Sequence, residues 1–262
     1  MLNHKPTVAV HKFSSCDGCQ LAFLNAGEAL LTLTQLVDIK HFAEAGPVEP
    51  DAQVEIAFVE GSITTPHELE RIKQVRANSK YLITIGACAT SGGVQALRNN
   101  ANAAEWMQAV YAAPQFIDTL ATSTPVSDHV RVDLELWGCP VNGHQVLMAV
   151  RALLFGVRPV EQHDRVCLEC KRQNNVCVVV TQQQPCLGPV TVTGCGALCP
   201  SVGRACYGCY GPAETLNTGS LSRRFAGFGL MPEEIARRFL SINNNAPAFS
   251  TAAKEVKGMR RD

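Results

Sequence analysis

The sequence predicts an α/β protein followed by a smaller, loop-rich, cysteine-dense region, and three observations carry that expectation. Across residues 1–160, short β-rich runs, loops of small residues and helical stretches alternate, the pattern of a mostly parallel sheet with helices on both faces. The cysteines of this part follow only the first, fourth and fifth predicted strands. Eight of the chain's twelve cysteines then crowd between Cys167 and Cys209.

Residues 7–13 (TVAVHKF) alternate apolar and polar positions before a Ser-Ser-Cys-Asp-Gly-Cys turn, and from Gln20 the spacing of Leu21, Leu24 and Leu31 turns helical. Residues 37–42 and 54–59 read as the second and third strands. The third runs into Glu60-Gly61-Ser62, whose carboxylate stands at a strand end either as part of a site or as a plain loop residue. Thr65 as N-cap, Pro66 at N1 and Glu68 at N3 spell a capping box, and Leu69, Ile72 and Val75 give that helix one apolar face. Residues 81–85 (YLITI) form a strand ahead of Gly86-Ala87-Cys88. A helix is expected over 94–112, an irregular connection over 113–128, and a fifth strand over 130–136 ending in Trp137-Gly138-Cys139-Pro140. Asn142 caps a further helix carrying Val146, Val150 and Leu153, stopped by Gly156 and Pro159. Beyond Gly211 one helix is expected, opened by Pro232-Glu233-Glu234 and ended by Asn243-Asn244-Asn245-Ala246-Pro247; the tail either wraps the cysteine-dense region or a partner, or 248–262 is a loose end.

The composition excludes several classes of function. Lys plus Arg equal Asp plus Glu at 23 each, so no basic excess points to nucleic acid or an anionic membrane. No apolar run approaches the roughly 20 residues of a spanning helix. No GxGxxG opens a helix, which speaks against a dinucleotide site in this chain. Residues 1–10 show neither an apolar h-region nor a small-residue cleavage site, which leads to the expectation of a cytoplasmic chain.

Twelve cysteines in such a chain point to metal or redox chemistry. Cys167, Cys170, Cys177 and Cys186, then Cys195, Cys199, Cys206 and Cys209, make two successive groups of four. Each supplies the thiolates of one iron–sulfur cubane, although four-cysteine zinc sites use the same CxxC pairs. Disulfides suit small secreted domains better. Cys16, Cys19, Cys88 and Cys139 are scattered in sequence, but the carboxyl ends of parallel strands would gather them into a third group. A role as small buried hydrophobes does not explain why all four follow strand ends in glycine-rich loops.

These motifs resemble the small, electron-transferring subunit of [NiFe] hydrogenases over nearly the whole chain. The likeness rests on CxxCQ at Cys16–Gln20, VEGS at Val59–Ser62, GAC followed by Gly92-Gly93, GCP at Gly138–Pro140, and the run PCLGPVTVTGCGALCP. Within that family the sequence looks most like cytoplasmic, pyridine-nucleotide-linked members, the sulfhydrogenase delta subunits among them. It departs from the periplasmic type in lacking a twin-arginine leader, in carrying Cys167 in place of a distal histidine, and in carrying Cys199 near a medial proline.

The resemblance implies a flavodoxin-like parallel-sheet domain (1–160), an iron–sulfur domain with a C-terminal tail (161–262), and three [4Fe-4S] clusters. It assigns Cys16, Cys19, Cys88 and Cys139 to a proximal cluster, Cys167, Cys170, Cys177 and Cys186 to a distal one, and Cys195, Cys199, Cys206 and Cys209 to a medial one. Ligands could cross between the last two sets, as they do in two-cluster ferredoxins. It further implies a hydrogenase large subunit holding the Ni–Fe site, and flavin- or NAD(P)-binding and iron–sulfur partner subunits. Two other readings stand beside it. The 20 kDa subunit of respiratory complex I shares the α/β part but has adjacent cysteines at the first motif and no eight-cysteine tail, and a zinc-stabilised interaction module would need no redox role.

Overall fold

The computed structural model describes residues 5–160 and 163–258, and the chain divides into two compact units, Met1–Pro159 and Val160–Asp262. Unit 1 is built on five strands: β1 (Thr7–Lys12), β2 (Asp38–Phe42), β3 (Val54–Glu60), β4 (Ser79–Ile85) and β5 (Leu134–Leu136). They lie in the order β2-β1-β3-β4-β5, every pair parallel. This is the flavodoxin-like order, whose direction reverses between β1 and β3 and opens a crevice at the carboxyl ends.

Alternation along the strands builds two cores, one on each face. Val8, Val10, Ile56, Phe58, Ile83 and Ile85 face α1 (Gly18–Leu24), α2 (Glu28–Leu36) and, from later in the chain, the Val146 and Val150 side of the helix Gly143–Leu154. Their neighbours Ala9, Ala57, Val59 and Leu82 face α3 (Pro66–Ala77) through Ile72 and Val75. The α3 capping box forms as expected, with Thr65 accepting from the Glu68 N–H at 3.1 Å and Glu68 accepting from the Thr65 N–H at 3.1 Å. Asn142 caps Gly143–Leu154 by accepting from the His144 N–H.

Three expectations are corrected in this unit. The helical pattern after Gln20 breaks at Gly27, where a positive φ of 59° separates α1 from α2. The helix expected over 94–112 is a 3₁₀ segment, Val94–Asn100, followed by α5 (Ala103–Val110), with α4 (Gly86–Ser91) already holding Cys88. Extended backbone at Ala101 ends the first segment, and Asn102 caps the next by accepting from the Ala104 and Glu105 N–H groups. Strand pairing of β5 covers three residues instead of seven. At its start the Asp133 carboxylate, gripped by Arg76 at 2.6 Å, takes the Leu82 N–H at 2.9 Å. The helix Gly143–Leu154 is α6.

Unit 2 has no strand among its described residues. Its short helices α7 (Val166–Arg172), α8 (Val178–Thr181) and α9 (Leu198–Ser201) alternate with turns, and its tail folds into α10 (Thr218–Ala226), α11 (Pro232–Phe239) and α12 (Pro247–Gly258). The tail therefore forms three helices where one was expected, and of the two readings of its end the loose one fails over 248–258; residues 259–262 lie outside the described residues. Asn217 caps α10, and Phe249, Ala252, Ala253 and Val256 repeat at helical spacing on the buried side of α12. Among the described residues no helix is long and apolar enough to cross a membrane.

Candidate metal centres

The carboxyl edge of the sheet gathers Cys16, Cys19, Cys88 and Cys139. Cys16 lies in the loop between β1 and α1, Cys19 in the first turn of α1, Cys88 in α4 directly after β4, and Cys139 after β5. The loops are cross-tied: Ala87 N–H donates to Gly138 O at 2.6 Å, and Val141 N–H points to Cys19 Sγ at 3.4 Å. Two glycines leave room for sulfur. A Cβ on Gly86 would overlap Cys19 Sγ, and one on Gly93 would lie 2.6 Å from Cys88 Sγ; both have positive φ, 83° and 57°. Burial pushes the Cys88 thiol up to about 12, with Cys139 and Cys16 adding to it, and burial likewise raises Cys19 and Cys139. Thiols that burial holds protonated on their own, as it does Cys19, Cys88 and Cys139, suit a cationic centre, which inverts that balance.

Glu60, the last residue of β3, is 2% exposed. Its carboxylate accepts the Cys19 and Gln20 N–H groups, each at 3.1 Å, so it fastens the CxxC loop to the sheet centre. Burial raises its pKa, offset by those two N–H groups. Glu60 is therefore not a plain loop carboxylate in this fold. Gln95, which sequence reasoning passed over, accepts from the Cys88 thiol at 3.1 Å.

In unit 2 a small core packs Cys186 and Cys206 with Val166, Val178, Ala197 and Ala205, and Cys170 and Cys195 lie partly buried against it. Gly188 lies beside both Cys186 and Cys167: a Cβ there would be 3.4 Å and 3.5 Å from their sulfurs. Burial raises Cys167 to about 11, with Cys186, Cys170 and Cys177 as the charged neighbours that add to it. Burial also raises Cys206, whose neighbours are Cys186, Cys209 and Cys195, and Cys195, on which Glu169 and Cys199 act. The two groups of four meet where Cys206 N–H donates to Cys186 Sγ at 3.1 Å and Leu187 N–H to Cys206 O at 3.0 Å. Gly208 N–H donates to Cys206 Sγ at 3.4 Å.

The tail buttresses this region. Asn243 Nδ2 donates to Gly208 O at 2.6 Å, and the Phe249 ring lies 3.5 Å from the point where a Gly208 Cβ would be. Glu169, Gln173 and Gln184 tie loops together by hydrogen bonds to distant backbone. The one sequence signal for any of them was the position of Glu169 between two cysteines.

No disulfide joins the cysteines among the described residues, and no three His, Cys, Asp or Glu side chains there converge on the position of a single metal ion. In a cubane each thiolate binds a different iron, so the ligands stand wider apart than around one ion. Donor type, glycine clearance and N–H groups aimed at sulfur fit such a group.

The chain matches the family described as NADH ubiquinone oxidoreductase, 20 Kd subunit, over residues 16–153, which stops short of the cysteine-dense stretch. Two relatives are hydrogenase subunits. Sulfhydrogenase 2 subunit delta of Pyrococcus furiosus is 36% identical over 88% of this chain and 96% of its own. NAD-reducing hydrogenase HoxS subunit delta of Cupriavidus necator is 30% identical over 60% of this chain and 82% of its own. In fold, the chain is similar to the actinobacterial-type NiFe-hydrogenase from Ralstonia eutropha, with a TM-score of 0.59 over 99% of this chain and 93% of that one at 16% identity. With a family match across its α/β part and a hydrogenase-subunit likeness running through the cysteine-rich part, the chain belongs to the 20 Kd subunit family and, within it, to the small subunits of [NiFe] hydrogenases.

Proposed function

We propose that the chain relays electrons inside a cytoplasmic hydrogenase, between the Ni–Fe site of a large subunit and flavin- or NAD(P)-binding, iron–sulfur partner subunits. In this reading Cys16, Cys19, Cys88 and Cys139 hold a proximal [4Fe-4S] cluster. Cys195, Cys199, Cys206 and Cys209 hold a medial one, and Cys167, Cys170, Cys177 and Cys186 a distal one. Residues 1–160 would form the domain that meets the large subunit, and 161–262 the domain that passes electrons outward.

A bound cubane exchanges one electron at a potential set by net charge, hydrogen bonds to sulfur and exposure. The chain's residues supply each of these. Burial of Cys19, Cys186 and Cys206 keeps water from those sulfurs. The N–H groups of Val141, Cys206 and Gly208 are directed at thiol sulfurs and would stabilise negative charge there. Glu60 fixes the Cys19 end of the proximal loop, and Gln95 takes the Cys88 thiol proton's hydrogen bond until that proton leaves on ligation.

The observation that carries the proposal is a complement of twelve cysteines, the number three cubanes need, with glycine clearance or backbone N–H groups at the sulfurs of Cys19, Cys88, Cys186 and Cys206. A relative named as a subunit of an NAD-reducing hydrogenase supports the pyridine-nucleotide link. The test is iron and acid-labile sulfide per chain, with EPR after reduction. About twelve irons in three cubanes are expected, together with hydrogen-dependent dye reduction by the assembled complex. Zinc without sulfide overturns the relay.

A further inference from the structure

Glu169 has no part in the relay as described so far. It stands between Cys167 and Cys170 on α7, yet its carboxylate turns to the other cysteine set. Oε1 accepts the Gly194 N–H at 3.0 Å and Oε2 the Ala197 N–H at 3.1 Å. These amides bracket Cys195, and they lie 25 and 28 residues away in sequence, so the link is tertiary. Ala197 is fully buried at φ 49°, a left-handed conformation that costs a residue with a Cβ and persists only where its surroundings hold it. Gln173 Nε2 reinforces the join by donating to Gly196 O at 2.8 Å.

The residue does two separable things. As an acceptor for two amides it fixes the Cys195 loop against the Cys167–Cys170 turn. As a carboxylate inside a cysteine-rich shell it puts a negative charge within electrostatic reach of Cys195, and a nearby negative charge disfavours adding an electron. We propose that Glu169 is a positioning residue that locks the two cysteine loops of unit 2 together and holds the potential of the Cys195-bound cluster low.

The charge arm of this proposal rests on the relay reading, whereas the clamp arm rests on the two hydrogen bonds alone. The test uses the complete hydrogenase complex purified without oxygen, carrying the wild-type chain, Glu169→Gln or Glu169→Asp. Three quantities are read: iron and labile sulfide, an EPR-monitored redox titration, and amide hydrogen exchange at Gly194 and Ala197. Glutamine keeps the size but loses the charge, and its NH2 faces one of the two amides. The expected result is iron at the wild-type level, a positive shift in the midpoint potential of one cluster, and exchange at one or both amides faster by roughly tenfold or more.

Aspartate keeps the charge on a shorter arm. It is expected to restore the potential more fully than the protection of the amides, a split that a merely structural role would not produce. Wild-type potentials and wild-type exchange in a fully iron-loaded Glu169→Gln complex overturn the proposal. If that variant loses iron, Glu169→Asp decides: fast exchange with a wild-type potential supports it, and wild-type exchange overturns it. A wild-type complex with zinc and no sulfide overturns the relay and the charge arm with it, while the exchange measurement still decides the clamp.

Discussion

The two cysteine-bearing regions frame their thiols by opposite routes. In unit 1 the scaffold exists before the site: fully buried Phe58, Ile83 and Ile85 and a five-strand parallel sheet hold the strand ends, and four thiols are hung on them. In unit 2 the cysteines are themselves much of the core, packed with alanine and valine between helices of four to seven residues. Such a core buries little apolar area, and hydrophobic stabilisation scales with that area. Each region nevertheless uses one carboxylate in the same way, Glu60 on two N–H groups in unit 1 and Glu169 on two in unit 2. A sheet can await its cofactor, whereas a loop framework of this kind depends on it.

Removing iron gives the largest expected difference between the two. Structural metal sites in small domains are worth on the order of 10 kcal/mol of folding free energy. Chelation should therefore abolish hydrogen-exchange protection over residues 163–209 while the amides of β1, β3 and β4 stay protected. Equal loss in both units would erase the contrast. A cavity in the sheet should act the other way round. Phe58→Ala, at a fully buried position, should cost unit 1 about 3–5 kcal/mol in denaturant unfolding and leave the iron content of the unit 2 sites unchanged.

The carboxylate clamp of unit 1 comes next. Glu60→Ala strands two buried N–H groups and should cost about 1–3 kcal/mol. It should lower the iron occupancy of the Cys16, Cys19, Cys88 and Cys139 set alone, which site-resolved EPR would read.

The smallest effect concerns acid. Burial, with His41 and Arg71 beside it, lowers His11 to about 3 from 6.5, and its ring stacks on His41 at 4.8 Å between centroids. Between those values the unfolded chain binds a proton that the folded chain does not. Stability is thus fully present above pH 6.5 and falls as pH drops toward 3, by at most about 1.4 kcal/mol per pH unit from this group. Thermal unfolding of unit 1 from pH 7 to pH 5 should show that slope, and His11→Phe should flatten it.

Local chemistry was legible in the sequence. Thr65-Pro66-Glu68 wrote its own capping box because both hydrogen bonds close within four residues, and the β-rich runs before small-residue loops marked β1, β3 and β4. The cysteines declared themselves by number and by their place after strands. Pattern failed where the deciding contact was distant. Asn102 starts a new helix where hydrophobicity suggested one long one, and Asp133 spends its backbone and carboxylate on Leu82 and Arg76, which shortens β5. Two of the three tail helices went unread because their apolar residues gain meaning only when α10, α11 and α12 pack on one another.

The sequence by itself determined the fold class, the inventory of twelve thiols and the family, because strand pattern, capping and residue type are properties of neighbouring residues. Tertiary structure decided which loops meet and what holds them. Glu60 reaches amides 40 and 41 residues away, and Glu169 reaches amides 25 and 28 residues away. A carboxylate's partner is chosen by which backbone N–H groups the fold leaves unsatisfied nearby, and no local pattern records that choice.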